Sequence, residues 1–302
     1  MSKPLSKRVK NTLIYVCVVV VKTLLGLLPM RLLGAVGDVL GRVAFVLARK
    51  EREKTLRGLE TAFGDSTDAA TRRKMGSETW ANIGRNVFEM FRWATWPHAK
   101  VAGLVARVEG WEHAEKAIAR GKGVLCVTAH LGHWELLAAY VGSRTPIAVV
   151  AKPLYDPRLD KIVTQFRSKW GGPVIPRGGA LKGILRALAE NRLIGMLMDQ
   201  DTGDDGVFVP FFGRPTWAQT GAARIAQKSG AALVPFFLTR DADGSFVLHV
   251  EPEIPMGPGP EGVLAATAAY TAVIERYVRA YPTQWVWMHE RWRSTPENRK
   301  GN

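Results

Sequence analysis

The chain has 302 residues, 47% of them hydrophobic and 23% charged, which excludes disorder and low complexity and leaves ample material for a core. Lys and Arg outnumber Asp and Glu by 42 to 27, and a net charge of +15 calls for an anionic partner: nucleic acid, an anionic membrane surface, a phosphorylated lipid or an acidic carrier protein. The two cysteines, Cys17 and Cys126, exclude a disulfide framework and fit a reducing compartment.

The charge is uneven. Residues 1–60 hold twelve Lys and Arg against four acids, +8 of the total, around an apolar region. Leu13–Val21 is free of charge; Lys22 and Thr23 interrupt it, and Leu24–Leu28 resumes it as far as Pro29. Leu13–Leu28 as a helix is about 24 Å long, short of the roughly 20 apolar residues of a full span, and Lys22 would have to snorkel. Four readings compete: a membrane span, a cleaved signal peptide, an uncleaved interfacial anchor and a plain core helix. No small-residue cleavage site follows the run, and basic residues on both sides leave its orientation open. Leu32–Ala48 is a second apolar-rich stretch, with Asp38 and Arg42 inside it, and reads as an amphipathic helix lying in the membrane interface. Residues 1–50 are therefore expected to form a membrane anchor with amphipathic helices, and residues 51–302 a single α/β domain.

Arg52–Phe63 and Asp68–Trp93 have helical spacing of apolar residues, broken by the polar Gly64–Thr67. From about residue 104 short apolar runs alternate with amphipathic stretches. The pattern predicts strands at 105–108, 123–128, 147–150, 193–198, 231–239 and 246–250, and helices at 111–120, 133–142, 157–170, 217–229 and 261–280. This alternation marks an α/β sheet with crossover helices. Pro255–Pro260 reads as a surface loop, and no repeat or long linker divides the chain. Zinc-finger spacing, an RNP-like segment, a basic zipper and a Gly-rich RNA clamp are all missing from the sequence, and the charge lies beside apolar helices, so nucleic acid is not the expected partner.

The segment that carries chemistry is 123–137. A buried strand ends at Ala129-His130, Gly132 makes a turn, and a helix follows. His130 thus sits off the carboxyl end of a strand, where open α/β sheets bind ligands. Glu135 falls in the first turn of the helix and can turn back toward the imidazole. This suits acyl transfer to a hydroxyl: a histidine takes the proton of the substrate alcohol, and a carboxylate on its other nitrogen fixes the tautomer. Backbone N–H groups near Gly132 at the helix start are candidates for the oxyanion. A metal site on His130, His133 and Glu135 lacks both an i, i+4 histidine pair and a third ligand of familiar spacing. His133 and Trp134 read as packing or substrate-facing residues.

His130-x4-Glu135 in this setting resembles the histidine–acid motif of the glycerolipid acyltransferase superfamily. Ala-His-Leu-Gly-His-Trp-Glu (129–135) is similar to the branch of late lipid A acyltransferases, which transfer lauroyl or myristoyl groups, and of phosphatidylinositol mannoside acyltransferases. Lys152-Pro153-Leu154, Arg167 ahead of Gly171-Gly172, Ile175-Pro176-Arg177, Met198-Asp199-Gln200-Asp201, Val209-Pro210-Phe211-Phe212-Gly213 and Gln284-Trp285-Val286-Trp287 through Arg291-Trp292 extend the likeness over roughly residues 10–293. Two departures, Glu in place of the usual Asp and no Glu-Gly-Thr-Arg-like phosphate motif, point to the lipid A branch rather than to phosphatidic acid synthesis.

The resemblance implies a mixed sheet flanked by helices and an O-acyltransferase needing no metal or organic cofactor. It implies acyl carrier protein or acyl-CoA as donor, a phosphorylated lipid A precursor as acceptor, and a seat on the cytoplasmic face of a bacterial inner membrane. By the same resemblance Arg167 binds a phosphate or steadies the carbonyl oxygen, and Asp199 orients Arg167 or a substrate hydroxyl. The alternatives are another glycolipid acceptor, such as a phosphatidylinositol mannoside or an ornithine lipid, and a non-catalytic membrane-binding protein on the same fold.

Overall fold

A computed structural model describes residues 11, 12, 15, 16, 28–154, 156–170, 172–203 and 205–299. Most of the apolar run expected to anchor the chain, residues 13, 14 and 17–27, lies outside the described residues. Among the described residues no helix is long and apolar enough to cross a membrane, so the transmembrane reading gains no support from them.

From residue 30 the described chain runs through three helices: α1 (Met30–Leu47), α2 (Arg49–Phe63) and α3 (Ala69–Trp93). Asp68 caps α3 by accepting the Thr71 N–H at 2.7 Å. On α1 the buried residues are Leu33, Gly34, Gly37, Gly41 and Phe45, a stripe of helical period. Three glycines let α1 and α3 meet backbone to backbone: a Cβ at Gly41 would lie 2.1 Å from the Trp80 carbonyl oxygen, and one at Gly84 would lie 2.2 Å from that of Gly37. Arg85 of α3 clamps Asp38 of α1, with Nε 3.0 Å from Oδ1. The opposite side of α1 is also apolar, with Val39 61% and Val46 59% exposed.

The remaining chain is the α/β unit. Its strands are β1 (Val105–Glu109), β2 (Val124–Thr128), β3 (Ile147–Ala151), β4 (Val174–Pro176), β5 (Leu193–Leu197), β6 (Gly206–Phe211), β7 (Arg214–Gln219), β8 (Ala232–Arg240) and β9 (Phe246–Val250). Its helices are α4 (His98–Ala102), α5 (Trp111–Ile118), α6 (Trp134–Arg144), α7 (Pro157–Lys169), α8 (Ala180–Ala189), α9 (Gly221–Ser229) and α10 (Gly259–Ala280). Seven strands form one sheet in the order β1-β9-β8-β2-β5-β3-β4, and β6 and β7 pair apart as a hairpin. The pairs β2–β5, β2–β8, β3–β5 and β3–β4 are parallel. The antiparallel β8–β9 pair makes the sheet mixed.

The expected α/β architecture holds, with differences that have local causes. The three-residue β4 is too short to show a period. α8 and the β6–β7 hairpin were not anticipated, and the stretch expected as a helix from 217 begins as strand β7. Pro210 and Pro215, opposed in the hairpin, obscure its strand signal.

β2 is buried along its whole length, as a central parallel strand must be. Its side chains alternate between two cores. Leu125, Val127 and Ala129 pack with residues of α8, α9 and α10, whereas Val124 and Cys126 pack with residues of α5 and α6. β5 and β3 lie on one side of β2 and β8 on the other, so the carboxyl end of β2 is a topological switch point where a crevice opens.

The α1–α3 contact yields a test. Alanine is about 1 kcal/mol better than glycine in a helix interior, yet Gly41→Ala is expected to destabilise the protein by about 1–3 kcal/mol through overpacking. A lowered thermal midpoint checks this; a raised one would mean that α1 does not rest on α3.

Candidate active site

Beyond the Thr128–Leu197 register pair, two residues further on each strand, come His130 and Asp199. Parallel neighbours in register thus set an imidazole beside a carboxylate. The Nδ1–H of His130 donates to Oδ1 of Asp199 at 2.9 Å. The His130 backbone N–H donates to Oδ2 at 2.9 Å, and the Trp285 indole N–H to the same oxygen at 2.8 Å. Burial alone would push the Asp199 carboxyl up; the His130 charge and these hydrogen bonds outweigh it and hold the group well below the ordinary carboxylate range. With Nδ1 committed to a carboxylate, the ring presents Nε2 as its basic nitrogen.

The expected pairing of Glu135 with this imidazole is corrected by the geometry. Glu135, in the first turn of α6, instead holds Arg167 of α7 in a two-pronged pair, Nη2 to Oε1 at 2.5 Å and Nε to Oε2 at 3.2 Å. The reason is positional. Asp199 arrives on the adjacent strand in register with His130, whereas Glu135 starts a helix whose side chains meet α7. Asp199 accordingly orients His130, not Arg167.

The expectation that the Gly132 N–H serves the oxyanion is corrected as well. That N–H donates to the Gln284 carbonyl at 2.9 Å, and the next one, of His133, to the Leu238 carbonyl at 3.0 Å. The turn is pinned further by the Val286 N–H on the His130 carbonyl at 3.0 Å and by Asn86 Nδ2 of α3 on the Gly132 carbonyl at 2.8 Å. Gly132 has φ +60°, and a Cβ there would lie 1.8 Å from the Leu238 carbonyl oxygen, so only glycine fits.

His133 is a packing residue. It is buried between Trp93 and Phe246, caps α6 through Nδ1, and leaves Nε2 without a partner. Burial, helped by the nearby Arg240 charge, lowers its pKa to about 3.

The site opens into a cavity of about 770 Å³, lined by His130, Glu135, Arg167, Arg177 and Gln200 among its polar residues and by Cys126, Leu137, Val141, Ile147, Val149 and Gly195 among its apolar ones. The exposed Lys152, Leu154 and Leu181 form its rim. Size and mixed lining fit a ligand with a long apolar part and a polar reacting end. At the foot of α7, Thr12 and Tyr15 of the N-terminal segment touch Arg158, the former by a hydrogen bond from Nη2 at 3.3 Å and the latter ring to guanidinium at 4.6 Å.

Sequence reasoning named Trp285 and Gln200 only within the words that carry the likeness, and left His289 without mention. In the structure Gln200 Nε2 lies 3.1 Å from Nδ1 of His130, and the His289 ring centre is 5.3 Å from that of His130. The words Asp199-Gln200 and Gln284-Trp285 were the available signals for two of them; nothing local announces His289.

A histidine–aspartate pair at the switch point of a helix-flanked α/β sheet faces a cavity of mixed lining, an arrangement in keeping with an enzyme that moves an acyl group. The chain belongs to the bacterial lipid A biosynthesis acyltransferase family, whose pattern it matches over residues 3–294. It is 29% identical over 274 residues to the lipid A biosynthesis lauroyltransferase of Escherichia coli (89% of this chain, 88% of that one). It is 28% identical over 272 residues to the palmitoleoyltransferase of the same organism (89% and 87%). Similarity extends to the phosphatidylinositol mannoside acyltransferase of Mycobacterium tuberculosis, 30% over 222 residues (70% and 68%). The protein is thus an O-acyltransferase of bacterial glycolipid biosynthesis, with an acyl donor and a lipid acceptor.

The buried His133 predicts acid sensitivity. Below about pH 6.5 the unfolded chain protonates this ring and the folded one, with its pKa near 3, does not, so stability falls as pH drops through that window. Between pH 7 and pH 5 this contributes a loss of about 2 kcal/mol. His133→Gln should lose correspondingly less over the same interval in chemical denaturation; an equal loss would refute the assignment.

Proposed function

We propose that the protein transfers a fatty acyl chain from an acyl carrier protein thioester to a hydroxyl of a phosphorylated lipid A precursor. The observation that carries this reading is the His130–Asp199 pair set against a cavity of about 770 Å³ with both polar and apolar lining. His130 is the general base. Its Nε2 takes the proton of the acceptor hydroxyl as that oxygen attacks the thioester carbonyl, and returns it to the departing sulfur. Asp199 holds the tautomer and stabilises the imidazolium as it forms. Glu135 acts on the same reaction through Arg167, which it fixes for the carbonyl end of the donor or for a phosphate of the acceptor. The cavity takes the acyl chain, and Lys152 and Arg177 at its polar end suit an anionic substrate.

The N-terminal 50 residues serve as the membrane element. The outward apolar face of α1, flanked by Arg31, Arg42, Arg49 and Lys50, suits the interface of an anionic leaflet and so supports a seat on the cytoplasmic face of the inner membrane. The basic surface likewise suits the acidic carrier protein. The likeness to phosphatidylinositol mannoside acyltransferases supports a second reading, in which the acceptor is a mannosylated phosphoinositide.

The test is transfer from acyl carrier protein and CoA thioesters to each of the two acceptors by purified enzyme. His130→Ala and Asp199→Asn should fold as wild type and lose about 10²–10⁴-fold in kcat. Retained turnover in His130→Ala refutes the base assignment, and product with the phosphoinositide alone replaces the first acceptor by the second.

A further inference from the structure

Attack on a thioester puts a full negative charge on the former carbonyl oxygen, and a pre-placed donor at that oxygen is the largest single aid to such a reaction. Three of the backbone donors beside His130 are already committed. The N–H groups of His130, Gly132 and His133 are spent on Asp199, on the Gln284 carbonyl and on the Leu238 carbonyl. Arg167 is engaged by Glu135 through two of its nitrogens.

The carboxamide of Gln200 lies next to the imidazole and lines the cavity with it. Its Nε2 is 3.1 Å from Nδ1 and 3.3 Å from Nε2 of His130. Nearly equal distances to both ring nitrogens put the amide beside the ring and off the lone-pair direction of Nε2, so the base is not consumed by it. On its other side the amide nitrogen meets Nε2 of His289. Burial, together with the neighbouring His130 charge, keeps the His289 ring below the ordinary histidine range, hence neutral and able to accept. The main chain of Gln200 is fixed too, its carbonyl accepting Gln219 Nε2–H at 2.9 Å.

We propose that the Gln200 carboxamide is the oxyanion donor of the acyl transfer, held in place by His289, which accepts one of its two N–H groups. The inference rests on His130 being the base. In the first step the acceptor oxygen forms a bond to the thioester carbon and its proton passes to Nε2 of His130. The carbonyl π pair moves onto oxygen, which receives the second N–H of Gln200. In the second step that pair re-forms the C=O bond and the C–S bond breaks. The sulfur leaves as a thiol with the proton from Nε2. Gln200 is thus a catalytic residue, since it touches the reacting oxygen, and His289 is a positioning residue.

The experiment is steady-state transfer from lauroyl acyl carrier protein to a Kdo-bearing lipid A precursor, run across pH, with His130→Ala beside every variant and circular dichroism as a check on folding. Gln200→Leu should lower kcat about 10²–10³-fold, leave KM for the thioester within about threefold, and leave the acidic limb of the pH profile where it is in wild type. Gln200→Glu, which keeps the shape and replaces the donor by an acceptor, should lose as much, and it stands in if the leucine variant fails to fold. His289→Gln, which restores an acceptor, should retain activity within about tenfold of wild type, whereas His289→Leu should fall toward Gln200→Leu. The double Gln200→Leu/His289→Leu variant should be no worse than the worse single one, because the two act as a unit. Near-wild-type kcat in Gln200→Leu or Gln200→Glu while His130→Ala is inactive overturns this proposal alone; activity in His130→Ala overturns the base reading beneath it. A displaced acidic limb with little loss of kcat would make Gln200 a tuner of His130 instead, and additive losses in the double variant would remove His289 from the arrangement.

Discussion

A carboxylate buried at the end of a strand is stable only if every oxygen on it is answered, and the site is organised around that requirement. Asp199 is 1% exposed, and it is met by the His130 imidazole, the His130 backbone N–H and the Trp285 indole. Removing any one of these would leave a buried charge short of a partner, a far larger penalty than losing a surface ion pair. The register of β2 against β5 brings in the histidine; the chain after α10 brings in the tryptophan. Rigidity of the imidazole follows from that satisfaction rather than from the histidine's own short turn.

The same logic explains the N-terminal helices. α3 is tied to the turn after β2 by Asn86 on the Gly132 carbonyl, and to the C-terminal segment by Asn82 on the Thr283 carbonyl at 3.0 Å. Glu89 of α3 pairs with Arg240 at the end of β8. α1 in turn is locked to α3 by glycine-lined backbone contact and by the Asp38–Arg85 pair. A rigid path therefore runs from the outward apolar face of α1 through α3 to the histidine turn. A helix that rests on a lipid surface by that face would hold the histidine turn at a fixed height above it.

Much of this was legible in the sequence. The buried run 123–128, the glycine after it and the helix from about 133 locate His130 at a strand end, because periodicity and turn chemistry are local properties. The acid that pairs with His130 was not legible. Glu135 is close in sequence and Asp199 close in space, and spacing along one chain says nothing about which strands become neighbours. For the same reason Gly132 read as an oxyanion donor: its N–H lies at a helix start, but the partner that consumes it, the Gln284 carbonyl, comes from the far end of the fold. β4 was too short to announce itself, and prolines masked the β6–β7 hairpin.

The segment from Gln284 to Val286 does three things at once: it occupies the Gly132 N–H, bonds the His130 carbonyl and sends Trp285 to Asp199. On the ribosome these residues are made after β2, β5 and every helix they lock together, and a growing chain folds from its N-terminal part onward. Helices α1 to α3 are therefore made well before the last partner of Asp199 exists. Until Trp285 follows, Asp199 lacks its indole partner, so the His130–Asp199 pair becomes fully fixed only after the whole sheet has been made.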